Sequence, residues 1–64
     1  MEKNKNMPTT KELSLIQDLL QMEESLYKKA KLYSKITMNK KLKANLENLS
    51  INHRERFLSL YSLL

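Results

Sequence analysis

Ile36-Thr37-Met38-Asn39 separates two long stretches whose apolar residues recur at spacings of three and four. The reading of these four residues decides the fold. If they interrupt the chain, it is a helical hairpin; if they do not, a single helix runs through most of its length. Ile36 and Thr37 are β-branched, which lowers helix propensity, and Thr37 and Asn39 are both types that cap a helix start by accepting an exposed backbone N–H. Thr37 is followed three residues later by Lys40 rather than by an acid, so no capping box singles it out. The cap of the second helix therefore stays open between Thr37 and Asn39. The interruption contains neither glycine nor proline, and one continuous helix is the competing reading.

On the N-terminal side the stripe is Leu13, Ile16, Leu20, Glu23, Tyr27, Ala30 and Ser34, widened by Leu19, Leu26 and Tyr33. This is the periodicity of one helix face turned toward a core. Pro8, Thr9 and Thr10 lead into it, and Thr9 with Glu12 fits a capping box whose acid also suits the positive end of the helix dipole. On the C-terminal side the stripe is Leu42, Leu46, Leu49, His53, Phe57, Leu60 and Leu64, with Leu58 and Tyr61 beside it. Neither stretch alternates with period two over a strand's length, so the fold class is all-α, an antiparallel two-helix hairpin. The expected organisation is a flexible N-terminal tail over residues 1–8 and a helical hairpin domain over 9–64. Within the domain, helix one covers about 10–35, the turn about 36–39 and helix two about 38–62.

At 64 residues the chain holds one domain, near the lower limit for an independent core. It has no cysteine and no glycine, and Pro8 is its one proline. Disulfides, thiolate metal sites and glycine-rich nucleotide loops are thereby excluded. No apolar run approaches the roughly 20 residues of a membrane span, and the start of the chain lacks the apolar segment of an export signal. The expectation is a soluble protein of cytoplasmic synthesis with no membrane partner.

A two-helix hairpin covers one seam and leaves the rest of each broad apolar face wet. Each helix offers about nine or ten large apolar residues, more than one facing helix covers, and ordering costs of roughly 1.5 kcal/mol per residue offset most of the gain for an isolated hairpin. Two hairpins dimerising into a four-helix bundle would close the core. The expected homodimer core is Leu13, Ile16, Leu20, Leu42, Leu46, Leu49, Phe57 and Leu60.

Glu23 and His53 interrupt the two stripes with ionisable groups. Both lie about 22 Å from the turn at 1.5 Å rise per residue, so an antiparallel hairpin brings them to the same layer. Two chemistries suit a carboxylate and an imidazole there. One is a buried polar pair, joined by the Tyr27 hydroxyl or by Ser50, which avoids a lone desolvated charge and fixes helix register. The other is part of a metal site, two such pairs holding one zinc or similar ion between two chains. A dimetal bundle site needs a carboxylate one turn before the histidine. Ser50 stands there and is a poor ligand, so Glu23 and His53 are weak metal candidates and no cofactor is expected. The pair could also be read as an acid–base dyad, but neither a nucleophile nor an oxyanion donor accompanies it, and no enzyme activity is expected.

Twelve basic and seven acidic residues give a net charge of +5, and Lys28, Lys29, Lys31, Lys35, Lys40, Lys41 and Lys43 cluster around the turn with no acid among them. The plain reading is a solvated surface, with the lysines late in helix one suiting its negative end. Those opening helix two oppose the dipole and favour an acidic partner. Nucleic acid is the obvious polyanion. Arginine occurs only at Arg54 and Arg56, however, and the aromatic residues belong mostly to the core, so a nucleic-acid accessory role is the least favoured alternative.

The segment from Thr10 to Leu26 (TKELSLIQDLLQMEESL), then Tyr33, then Asn52-His53-Arg54-Glu55-Arg56-Phe57, resembles the small spore coat proteins of spore-forming Firmicutes that carry a ferritin-like domain of the coat-protein-F type. The resemblance covers about residues 9 to 64. It implies a ferritin-like half-bundle and a structural, non-enzymatic role in the spore coat or in sporulation, with other coat or acidic proteins as partners. It also implies a metal-site ancestry: Glu23 and His53 match the first-helix Glu and the His of the ferritin-like Glu-x-x-His, and Ser50 departs from the pattern at the second Glu. A small metal-binding bundle is the alternative function on that basis.

Overall fold

The computed structural model describes residues 7–64. Most of the tail expected over residues 1–8, namely residues 1–6, lies outside the described residues. Two helices make up the fold, α1 (Thr10–Ile36) and α2 (Lys40–Tyr61), with no strand among the described residues.

Local chemistry accounts for where the helices begin and end. At the start of α1 the Glu12 N–H donates to Thr9 Oγ1 at 3.1 Å and the Thr9 N–H to Glu12 Oε1 at 2.8 Å. This capping box satisfies two exposed donors at once. The chain breaks between the helices without glycine because the reversal needs no left-handed residue. Thr37 (φ −67, ψ 142) and Asn39 (φ −86, ψ 115) are both extended. Asn39 is the cap of α2, its Oδ1 accepting the Leu42 N–H at 2.9 Å, while Thr37 Oγ1 accepts the Asn39 N–H at 3.2 Å. The two candidate caps thus act in series, one on the other and then on the helix. Met38 between them is 97% exposed.

Two contacts fix the direction and register of the pair. Tyr27 meets Ser50, and Glu23, one turn earlier on α1, meets His53, one turn later on α2. A step back on one helix matched by a step forward on the other defines an antiparallel hairpin. The seam on α1 is formed by Leu13, Ile16, Leu20, Glu23, Tyr27, Ala30 and Ser34. On α2 it is formed by Leu46, Ser50, His53, Phe57 and Leu60.

The α2 seam corrects the sequence pattern at Leu49. Ser50, not Leu49, turns inward, and Leu42 and Leu49 are each 46% exposed on the flank. Packing gives the reason. Near the turn the helices close on three small buried side chains, Ala30, Ser34 and Ser50, and a leucine at that level would hold them apart. The Ser50 hydroxyl donates across the gap to the Tyr27 carbonyl at 3.1 Å, and the Ser34 hydroxyl donates back to the Lys31 carbonyl at 2.6 Å. Large side chains fill the other half of the seam, where Phe57 also lies 6.1 Å from Tyr61 between ring centroids.

Six of the eight residues expected in a dimer core, Leu13, Ile16, Leu20, Leu46, Phe57 and Leu60, therefore lie on the seam within one hairpin. A second apolar line remains uncovered. Leu15, Leu19, Met22, Leu26, Tyr33 and Ile36 recur at three and four along one flank of α1, with Lys29 as the single polar member, and all six are exposed. Leu42, Leu49 and Arg56 recur every seven residues on α2, with Leu63 next in the series just past its end. Arg56 lines a shallow groove with Leu19, which places both lines on the same broad face of the hairpin.

Candidate functional site

The candidate site is the Glu23–His53 pair at the middle of the seam. Both side chains are held between the helices, 17% and 16% exposed respectively, and His53 Nδ1 lies 2.5 Å from Glu23 Oε1. On α1 the stripe that carries Leu20 and Tyr27 also turns Glu23 inward. His53 is on α2 one turn beyond Ser50. A carboxylate accepts only, so the proton in this contact belongs to Nδ1 when Glu23 is ionised, and the imidazole is held in that tautomer.

Arg56 adds a cation that the sequence pattern does not single out. Its Nη1 is 3.5 Å from His53 Nδ1. A nitrogen that donates to Glu23 has no lone pair for a guanidinium, so this is charge proximity rather than a hydrogen bond. The signal was present in the three-residue spacing from His53 to Arg56, which sets the two on neighbouring positions of one helix. Every buried side-chain nitrogen and oxygen among the described residues has a hydrogen-bond partner. The seam thus holds its polar groups without leaving one unpaired.

Tyr27 and Ser50 do not join this pair. Ser50 sits one turn nearer the hairpin reversal and spends its hydroxyl on the Tyr27 main chain. Tyr27 also borders the opposite broad face, in a groove with Lys31, Lys35, Lys43, Glu47 and Arg54. That groove gathers three of the seven clustered lysines and adds Arg54, with Glu47 as its one acid. Lys28 is engaged separately, its Nζ 3.1 Å from Glu24 Oε2 one turn back on α1. Of the seven clustered lysines, three line this groove, Lys28 is in an intrahelical ion pair, Lys40 and Lys41 open α2, and Lys29 lies in the apolar line of α1.

The same geometry bears on metal binding. No group of three or more His, Cys, Asp or Glu side chains is placed to hold an ion among the described residues. One hairpin offers two ligands, already bonded to each other, and the buried Ser50 hydroxyl is committed elsewhere. This weakens the metal-binding alternative. No described helix is long and apolar enough to cross a membrane. Compared with protein-family models, curated proteins and solved structures, the chain matches none.

Proposed function

We propose that this chain is a non-enzymatic assembly protein that works as a homodimeric, ferritin-like four-helix bundle, with the spore coat as its place of assembly. One observation carries the reading. Among the described residues only Leu20 and Ala30 are buried apolar residues, whereas sixteen large apolar side chains stay exposed. So small a core does not offset the entropy of ordering some fifty residues, and a partner surface of the same kind supplies what is missing. The Glu23–His53 pair is then polar packing inside the bundle, not a reaction centre. The coat location rests on the residues from Thr10 to Leu26, Tyr33 and Asn52 to Phe57 that resemble coat-protein-F type domains.

Sedimentation equilibrium at micromolar concentration tests the assembly. The expected mass is twice the 7.6 kDa of the chain, and a well-folded species of single-chain mass would overturn the reading. Enrichment of the protein in the coat fraction of purified spores tests the location.

A further inference from the structure

The hairpin is electrically lopsided along its length. Between residues 25 and 49, the half nearer the reversal, seven lysines (Lys28, Lys29, Lys31, Lys35, Lys40, Lys41 and Lys43) face a single acid, Glu47, for a net charge of +6. In the open half, residues 10–24 and 50–64, the acids Glu12, Asp18, Glu23, Glu24 and Glu55 outnumber Lys11, Arg54 and Arg56, for a net charge of −2 with His53 neutral. The exposed apolar line of Leu15, Leu19, Met22, Leu26, Tyr33 and Ile36 runs across both halves.

We infer that a second copy of this chain docks antiparallel on that face, its basic reversal end against the acidic open end of the first. The inference rests on the dimeric reading above and adds the face and the orientation. Complementarity of charge chooses between the two ways of closing the bundle. A parallel dimer would set two +6 ends side by side over the Debye length of about 8 Å at physiological salt. An antiparallel dimer sets each against a −2 end and spreads the excess lysines over both tips. A two-fold axis makes the contact self-complementary. The middle of Thr10–Ile36 falls at Glu23, and the nearest place for the axis on the apolar line is midway between Met22 and Leu26, level with residue 24. At that register Lys29, the one charge in the apolar line, lies level with Leu19 of the second copy and beside its Asp18, which borders the same line. The groove of Lys31, Lys35, Lys43 and Arg54 stays outside, on the opposite face.

The absence of cysteine makes the test direct. Met38→Cys, at the exposed tip of the reversal, is labelled with a nitroxide on the otherwise native chain, and the label–label distance is read by pulsed dipolar spectroscopy. Antiparallel docking sets the two tips one helix length apart, about 40 Å for 27 residues. Parallel docking brings them within about 20 Å and would overturn the orientation while leaving the dimer intact. A sample that sediments as a folded monomer would instead overturn the dimeric reading itself. The face is tested separately: Leu26→Glu is expected to raise the dimer dissociation constant at least a hundredfold. Ile51→Glu, in the groove on the opposite broad face of the hairpin, is expected to leave it within threefold. Equal effects of the two substitutions would overturn the choice of face.

Discussion

A short hydrogen bond between Glu23 and His53 inside a helical seam sets two opposed free-energy terms against each other. Drawing a carboxylate and an imidazole out of water is unfavourable, and their charge-assisted contact offsets that cost without clearly exceeding it. The asymmetry is what an experiment detects. Removing one partner leaves the other desolvated and alone, so Glu23→Ala or His53→Ala is expected to lower stability by about 1.5 to 3 kcal/mol per protomer. Replacing both by leucine fills the same layer with apolar volume, and the double variant is expected within about 1 kcal/mol of the native chain. Urea denaturation of the three variants gives the coupling energy directly, and single-variant losses near zero would mean that the pair stays hydrated.

At the scale of elements, the two helices are held to their bounds by caps rather than by breakers. Asn39 is the cap of α2, yet the three residues Lys40, Lys41 and Lys43 put positive charge at the positive end of the helix dipole. Asn39→Ala is therefore expected to cost about 1 kcal/mol, through loss of the bond to the Leu42 N–H. Asn39→Asp keeps that acceptor and adds a negative charge, for an expected gain of about 0.3 to 1 kcal/mol that fades with added salt. Thermal denaturation of the two variants at low and high ionic strength checks the sign of each. The same elements show which features a sequence reveals. Alternating spacings of three and four exposed both helices and the whole α1 seam, and counting rise per residue placed Glu23 level with His53. The choice of Ser50 over Leu49 was hidden because hydropathy favours the leucine, while the close approach of Ala30 and Ser34 leaves room only for the serine. That Tyr27 borders a groove on the opposite broad face depends on the rotation of one helix against the other, a quantity that periodicity along a single helix does not contain. The apolar line from Leu15 to Ile36 was visible only in part, as Leu19, Leu26 and Tyr33, until the seam fixed which face of α1 was already spent.

For the whole molecule, the proposed homodimer would tie folding to association, because the single-chain core is thin. Fully burying a leucine-sized side chain is worth about 1.5 to 3 kcal/mol, and the six exposed apolar residues of the α1 flank gain much of this only when a second hairpin covers them. Unfolding then converts one dimer into two chains, and mass action enters the midpoint. Each tenfold rise in protein concentration adds about 1.4 kcal/mol to the stability of a dimer. With an unfolding entropy of about 2.1 cal/mol/K per residue summed over both chains, that corresponds to a rise in Tm of roughly 5 °C per decade. Circular dichroism melts from about 1 to 100 μM should therefore shift upward by about 10 °C in total. Leu26→Glu should melt at a lower temperature or remain unfolded throughout that range, because it removes the covering surface without touching the seam. A midpoint that holds constant over the hundredfold range would show that the hairpin folds by itself, and the exposed flank would then need a different occupant from a second copy of the chain.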